Sequence, residues 1–221
     1  MSNPNLSANQ RPIERHPFGT FFNADTRILM MGTLPPTPDK WCMPFHYPNF
    51  YNDMWRIFGL VFFNDANYFR MGEEKRFEHH KIQAFLLQKG IGECPSVVEA
   101  IREKGNASDD HLTIVKTVDL AAILPQVPKV KWIFTTGGKA TEVLLGIINE
   151  ELAKHTPNYQ PIKLPKTNEY LTVRVFNRTL MIYRLPSSSR AYPISLANKA
   201  AAYRQFFELA GLLDDQPDAQ Q

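Results

Sequence analysis

Short apolar runs alternate along the chain with amphipathic stretches, and this order predicts an α/β protein. RILMMG at 27–32 is mostly apolar and ends in Gly, which is typical of a buried parallel strand. KVKWIFTTGG at 129–138 predicts a second strand that ends in a Gly-Gly turn. The amphipathic stretch 139–154 follows directly and predicts a helix. A strand, a turn and a helix within about 25 residues form the unit from which parallel sheets are built.

Five further helices are predicted from apolar spacing and from residues that favour helix ends. They cover 51–59 (Asn52 as N-cap, Gly59 as the end), 73–90 (ending at Gly90), 96–105 (Ser96 as N-cap, Gly105 as the end), a short stretch from Asp119 to Pro125, and 195–213 (Ser195 as N-cap). YLTVRVF and RTLMIYRL flank Asn177-Arg178 and predict a β-hairpin over 170–185.

The order of these elements predicts one three-layer α/β/α domain over 17–213, with a central, mostly parallel sheet. Residues 1–16 are predicted to form a flexible arm, and the acidic residues 214–221 a disordered tail. In such sheets ligands bind at the carboxyl ends of the strands. The two loops of unusual composition, 32–50 and 186–194, both follow strands, so we expect them at the same edge of the sheet.

Composition narrows the class of protein without naming a function. The 221 residues suit one sizeable domain, and 43% hydrophobic with 21% charged residues is ordinary for a globular protein. No apolar run reaches the roughly 18 residues that span a bilayer, and the polar N-terminus does not resemble a secretory signal. The net charge of +3 suits a nucleic-acid partner, although many cytosolic enzymes share it.

Two cysteines, Cys42 and Cys94, are too few for a four-thiolate metal or iron–sulfur site. A disulfide between them is the alternative to the reduced, cytoplasmic protein that we expect. His79-His80 beside Glu78 is interpreted as a solvated helix face rather than as a metal site. Gly137-Gly138 lacks the further residues of a nucleotide-binding motif. We therefore expect neither a metal nor an organic cofactor.

The segment 30–55 concentrates aromatic rings around two amides, Asn49 and Asn52. The rings are His46, Tyr47, Phe50, Tyr51 and Trp55. This segment begins with Gly32-Thr33-Leu34-Pro35-Pro36, and a second unusual loop reads Leu185-Pro186-Ser187-Ser188-Ser189-Arg190-Ala191. In order and spacing, these motifs resemble the uracil-DNA glycosylase superfamily, which has a Gly-x-x-Pro loop after its first strand and a Pro-Ser loop after its last.

The resemblance covers about residues 25 to 210. Its nearest branches are the hypoxanthine-DNA and the mismatch-specific thymine/uracil-DNA glycosylases, to whose motifs His46–Trp55 aligns without gaps. It implies base excision repair: a base is flipped out of DNA into a pocket and its N-glycosidic bond is hydrolysed. Tyr47 and Phe50 are the candidate stacking rings, with packing of the loop onto the core as the alternative. Backbone N–H groups of 32–36 would stabilise the departing base.

Two residues depart from the superfamily pattern. Leu34 stands where the uracil and mismatch branches have the Asp or Asn that orients water, and Leu185 stands where the uracil branch has a His. The hypoxanthine branch also lacks the first polar group and has a downstream Asn that matches Asn49, so the resemblance assigns the catalytic role to Asn49. Asp53 is a reserve ionisable group, or a carboxylate of the first helical turn. Asn52 belongs to the pocket, or is a plain N-cap.

The second loop is assigned to DNA. Pro186, Ser187, Ser188 and Ser189 would hold the phosphates on either side of the flipped nucleotide, unless the serines only cap turns. Arg190 and the residues after it would enter the gap left in the base stack.

The expected function is that of a monomeric, monofunctional DNA glycosylase acting on uracil or hypoxanthine, with DNA as its partner and no membrane association. No Lys lies in either motif, so lyase chemistry is not expected. The alternative is a non-catalytic nucleic-acid-binding module on the same fold, because Leu34 and Leu185 remove two well-known catalytic groups. The sequence does not determine which base is excised, or whether the DNA is single- or double-stranded.

Overall fold

The computed structural model describes residues 11–104 and 109–213. Its helices are α1 (Met54–Phe63), α2 (His79–Lys89), α3 (Leu120–Ile123), α4 (Gly138–His155) and α5 (Leu196–Leu209), with 3₁₀ turns at Pro38–Lys40, Asp109–His111 and Leu124–Gln126. Its strands are β1 (Glu14–Arg15), β2 (Ile28–Met31), β3 (Ile91–Glu93), β4 (Val97–Arg102), β5 (Leu112–Thr117), β6 (Trp132–Thr136), β7 (Tyr170–Val175) and β8 (Arg178–Leu185).

The central sheet has five strands in the order β3-β2-β6-β8-β7. β2 pairs in parallel with β3 and β6, and β6 pairs in parallel with β8. Only β7, the edge strand of the hairpin, runs antiparallel to its neighbour. All four residues of β2 are fully buried, as expected for a central strand covered on both faces. The predicted, mostly parallel sheet is confirmed.

Alternating side chains of β2 enter two separate cores. Ile28 and Met30 pack with apolar residues of α1, α2 and α5 on one face. Leu29 and Met31 pack on the other face with residues of α3 and α4. The period of two along the strand therefore distributes one apolar run between two helix layers. The predicted three-layer α/β/α arrangement is confirmed.

The helix predicted at 96–105 is wrong, because Val97–Arg102 forms β4. β4 is the middle strand of a small antiparallel sheet with order β1-β4-β5. Ser96 does not cap a helix; its hydroxyl donates to the Gly32 carbonyl at 2.8 Å. The capping pattern is present in the sequence, but main-chain pairing with the distant β1 and with β5, the next strand in the chain, prevails over local helix preference. Gly105 lies outside the described residues.

The predicted arm 1–16 is only partly described. Glu14 and Arg15 form β1 and pair with Ala100 and Glu99 of β4, so this end of the segment is held by a sheet rather than flexible. Residues 1–10 and the predicted tail 214–221 lie outside the described residues.

Several predicted boundaries shift. Helix α1 continues past Gly59 to Phe63 and ends at Asn64, which has a left-handed φ of 55°. Helix α2 begins at His79 rather than 73. The hairpin turns at Phe176-Asn177, both with positive φ, one residue before the predicted turn. The predicted ends at Gly90, Asp119 and Ser195 are confirmed: Gly90 is left-handed, and the other two side chains accept helix N–H groups.

Candidate active site

The two unusual loops meet at one cavity of about 320 Å³ at the carboxyl ends of β2 and β8. The loop after β2 contributes Gly32 to Pro36, and the segment before α1 contributes His46, Tyr47, Pro48, Asn49, Tyr51 and Asn52. The loop after β8 contributes Ser187, Ser188, Ser189, Arg190 and Ala191. Of the predicted site residues, only Phe50 and Pro186 are absent from this lining.

The two loops are joined by an ion cluster at Asp53. Its main-chain N–H donates to the Ser188 carbonyl at 2.9 Å. Its carboxylate accepts from Arg190 Nε at 3.1 Å and from Lys199 Nζ at 2.9 Å. The Lys199 side chain is fully buried and also donates to the Ser189 carbonyl at 2.6 Å. Asp53 therefore fixes the serine loop to the start of α1, a role that the sequence analysis did not assign to it.

Gly32 and Tyr47 define one wall of the cavity. The Tyr47 hydroxyl bonds with Thr136 Oγ1 at 2.9 Å and lies 2.6 Å from the position that a Cβ on Gly32 would take. Any larger residue at 32 would therefore displace the ring. Tyr47 itself has a positive φ of 50°, an uncommon conformation that the surrounding contacts maintain. Burial raises the pKa of its hydroxyl well above the usual value.

Asn49 and Asn52 both line the cavity, and both amides are oriented by main-chain bonds. Asn49 Oδ1 accepts from Tyr51 N at 2.8 Å, and Asn52 Oδ1 accepts from Met54 N at 2.9 Å. Asn52 thus satisfies an N–H at the start of α1, but the N-cap of this helix is Asp53, so the N-cap predicted at Asn52 is wrong by one residue. Within the described residues, the Asn49 amide nitrogen has no protein partner and is available to a ligand or water.

Phe50 does not line the cavity, contrary to the stacking role predicted for it. Its ring packs on Phe77 with centroids 5.2 Å apart, and the Arg56 guanidinium lies 4.4 Å from its centroid. Arg56 also donates to the Phe50 carbonyl at 2.5 Å. The ring therefore holds the loop on α1, which is the packing alternative. Pro186 is buried as well, and its carbonyl accepts from the Tyr203 hydroxyl at 3.1 Å.

The two leucines that depart from the superfamily pattern are both packed. Leu34 is 7% exposed and joins an apolar cluster with Val97, Ala100 and Leu112, beside the cavity. Leu185 is fully buried in the core, and its carbonyl accepts from Gly137 N. Neither side chain offers a polar atom, so the chemistry of the cavity depends on other residues.

The serine loop presents a mixed surface. Ser188 is 3% exposed, whereas Ser187 and Ser189 are half-buried. The two half-buried hydroxyls each accept a main-chain N–H within the loop, which supports the turn interpretation without excluding phosphate contact. Arg190 is exposed, and its guanidinium lies 5.3 Å from the centroid of the exposed Tyr51 ring. Arg190 and Tyr51 thus form a cationic, aromatic rim.

Six lining residues were missed by sequence reasoning: His16, Phe18, Glu93, Pro95, Asp109 and Thr136. His16 ends the predicted arm and Phe18 lies just after it, Glu93 and Pro95 lie at and after the end of β3, Asp109 precedes β5, and Thr136 ends β6. None of these positions belongs to the Gly-x-x-Pro or the Pro-Ser motif. Only Thr136 gave a signal, because it lies at the end of the strand predicted within 129–138 and carboxyl ends of parallel strands share an edge. No strand was predicted at Glu93. Asp109 accepts the Thr33 hydroxyl at 2.6 Å, which ties the first loop to the small sheet.

Burial favours the neutral forms of three titratable side chains in the cavity lining, His16, His46 and Glu93. The imidazoles of His16 and His46 stack with centroids 5.6 Å apart. Burial lowers the pKa of His16 to about 4 and, with a contribution from His16, that of His46 to about 3. Burial raises the pKa of Glu93 well above its usual value. Burial therefore favours two neutral imidazoles and the protonated form of the carboxyl in the interior of the cavity.

Among residues 11–104 and 109–213, no group of three or more His, Cys, Asp or Glu side chains is arranged to hold a metal ion. The rings of His79 and His80 lie with centroids 3.9 Å apart at an angle of 41° at the start of α2, and neither residue lines the cavity. In the same part of the chain no helix combines the length and the hydropathy needed to cross a bilayer. Both Cys42 and Cys94 are free thiols.

No family model and no curated protein matches the sequence. Among solved structures, the chain is similar to a solution NMR structure described as "a putative Uracil DNA glycosylase from Methanosarcina acetivorans". The two chains are 21% identical and superpose with a TM-score of 0.57; the match covers 90% of this chain and 99% of the other. A likeness at this identity concerns the fold. The chain therefore has the three-layer α/β/α architecture of a uracil-DNA-glycosylase-like protein.

Proposed function

We propose that this protein is a monofunctional DNA glycosylase that hydrolyses the N-glycosidic bond of a deaminated base, uracil or hypoxanthine. The observation that carries the proposal is the single cavity between the Gly32–Pro36 loop and the serine loop. At about 320 Å³ it lies at the small end of ligand pockets, which suits one nucleobase. The fold and the order of the two motifs support the same activity.

The lining residues offer the parts that base excision requires. The Tyr47 ring is held in place by its bond to Thr136 and offers a surface for a flipped base. Asn49 supplies an oriented amide for the base edge or for the attacking water. Because an amide cannot remove a proton, its effect is positional. N–H groups at Gly32, Thr33 and Leu34 remain as donors toward the departing base, since Pro35 and Pro36 have none.

The cationic rim suits the DNA backbone. Arg190 and the half-buried Ser187 and Ser189 are placed at the edge of the cavity, where phosphates of the flipped nucleotide would lie. The exposed Tyr51 beside Arg190 is a further group for the gap in the base stack. Lys199, the lysine that contacts the serine loop, is fully buried and bonded to Asp53, so it is not available for a Schiff base. This supports hydrolysis without strand cleavage.

The test uses oligonucleotides with one uracil, hypoxanthine or xanthine, single- and double-stranded, followed by heating in alkali. We expect abasic-site breaks with the wild-type protein and loss of roughly 100-fold or more in single-turnover rate for Asn49→Ala. Asn52→Ala is the matched control, because this amide also lines the cavity and also accepts one main-chain N–H.

Two results would contradict the proposal. Equal loss in both variants would mean that Asn49 acts only through loop structure. Tight binding of damaged DNA without breaks on any substrate would instead support the nucleic-acid-binding module.

A further inference from the structure

A glutamate that belongs to neither motif enters the cavity from the end of β3. Glu93 is 1% exposed, yet it is among the residues that line the cavity. Its Oε1 has no hydrogen-bond partner among the described residues. A buried carboxyl oxygen without a partner costs free energy, so such a group in a cavity points to a ligand that completes its bonding.

The surroundings of Glu93 favour the carboxylic acid over the carboxylate. Oε2 lies 3.9 Å from His46 Nδ1. Since His46 Nε2 lies 2.9 Å from the Gly19 carbonyl, which can only accept, Nε2 carries the hydrogen and Nδ1 carries a lone pair. The near face of this imidazole therefore offers Glu93 an acceptor rather than a positive charge.

The other titratable groups around Glu93 do not supply a positive charge either. Tyr47 from the aromatic segment, Tyr203 from α5 and Cys94, its neighbour in the chain, all interact with it electrostatically. Beyond His46, the stacked His16 is also kept neutral by burial. No lysine or arginine of the described residues forms an ion pair with Glu93. A carboxyl that is buried without a cation retains its proton.

We propose that Glu93 is the proton donor of this site and protonates the base as it leaves the sugar. This rests on the proposed glycosylase function. It adds a catalytic group that neither motif contains, in a cavity where Leu34 and Leu185 provide no polar atom.

The C1′–N bond of the nucleotide breaks, and its electron pair stays with the base. The proton on the Glu93 carboxyl moves to an acceptor atom of the base, which leaves as a neutral molecule. Water adds to the oxocarbenium carbon C1′ and loses one proton, which returns to the Glu93 carboxylate through solvent. The net reaction is the hydrolysis of one N-glycosidic bond.

The experiment compares the wild type with Glu93→Gln, which keeps the shape of the side chain but has no proton to transfer. Glu142→Gln on the outer face of α4 is the matched control, because Glu142 is 55% exposed in its side chain. Single-turnover excision is measured across pH on the base that the wild type removes. It is also measured on a better leaving group: 5-fluorouracil where uracil is removed, or xanthine where hypoxanthine is removed.

We expect a wild-type rate that is constant at low pH and falls tenfold per pH unit above the Glu93 pKa, since the protonated form is the active one. Glu93→Gln loses roughly 100-fold and this pH dependence, as removal of a general acid predicts. Its loss is clearly smaller on the better leaving group, which needs the proton less. The ratio of two substrates within one variant is insensitive to the fraction of variant that is folded.

The failures are distinguishable. If the wild type cleaves no substrate, the glycosylase function fails and the proton donor with it. If the wild type cleaves but Glu93→Gln keeps the rate and the pH dependence, only the proton donor fails. An equal loss on both leaving groups also overturns it, because that is the behaviour of a structural residue.

Discussion

Lys199 gives the sharpest test of how the two loops are held together. Its fully buried ammonium contacts Asp53 Oδ2 at 2.9 Å and the Ser189 carbonyl at 2.6 Å. In Lys199→Met the volume is nearly kept, so no cavity is expected. What is lost is the positive charge. The Asp53 side chain, which is 8% exposed, then keeps only the half-exposed Arg190 as a cationic partner.

The magnitude follows from burial. Removing one partner of a buried ion pair costs about 3 to 5 kcal/mol, because the other charge remains desolvated. Arg190 contacts the same carboxylate at 3.1 Å, but its side chain is 47% exposed. Exposed pairs contribute about 0 to 1 kcal/mol. Arg190→Ala is therefore a control that shares the acidic partner and differs in burial.

Urea unfolding at neutral pH measures both variants. For an m-value near 3 kcal/mol/M, Lys199→Met shifts the midpoint down by roughly 1 to 2 M and Arg190→Ala by much less. In a double-mutant cycle, the loss of unfolding free energy in the double variant Asp53→Asn with Lys199→Met is about 2 kcal/mol smaller than the sum of the losses in the two single variants. An equal shift for the lysine and the arginine variants, or strict additivity in the cycle, would refute the reasoning.

Three further predictions concern named contacts. Gly32→Ala is expected to lose about 1 to 3 kcal/mol of unfolding free energy and most of the excision rate, because its Cβ would lie 2.6 Å from the Tyr47 hydroxyl. Adding Tyr47→Phe removes that hydroxyl and restores part of the stability in the same urea-unfolding assay. Gly59→Ala lowers the unfolding free energy by about 2 kcal/mol or more, since a Cβ there would lie 2.2 Å from the Asp65 carbonyl oxygen. The control Gly146→Ala, whose Cβ would have no atom within 4 Å, raises the unfolding free energy by about 1 kcal/mol. The pKa of His46 is lowered to about 3 in the folded protein, so its stabilising contribution is present above the unfolded pKa near 6.5 and is lost as pH falls. His46→Gln therefore reduces the pH dependence of the unfolding free energy, measured between about pH 6 and pH 5, by about 1 kcal/mol per pH unit.

The parts of the fold that were predictable are those coded locally. Residues 28–31 are all apolar and followed by Gly, and they form the central strand. Gly90, Asp119 and Ser195 end or begin helices through their own backbone or side-chain preferences. β4 was mispredicted because the capping pattern of 96–105 outweighed its partners in the prediction: Glu14–Arg15 is distant and only two residues long, and the β-branched stretch Leu112–Thr117, which pairs with β4 across a short connection, was not used.

The site was predictable to the extent that motifs mark it. The two loops meet as expected because both follow parallel strands of one sheet. Whether a ring on such a loop faces the cavity or the core is decided elsewhere in the chain. Phe50 turns to Phe77 and Arg56, while Tyr47 reaches Thr136 at the end of β6. No spacing within 46–55 distinguishes these two outcomes.

The electrostatic contrast between interior and rim constrains the chemistry further. Burial favours the neutral forms of His16, His46 and Glu93, and no lysine or arginine side chain of the described residues other than the exposed Arg190 lines the cavity. A base leaving as an anion would therefore find hydrogen-bond donors but no interior cation to stabilise it. Arg190 already bonds with Asp53, and its position at the rim suits phosphate better than the base. Under the proposed glycosylase function, a site of this kind favours departure of a protonated, neutral base, and the Glu93 carboxyl, whose protonated form burial favours, is the candidate donor of that proton.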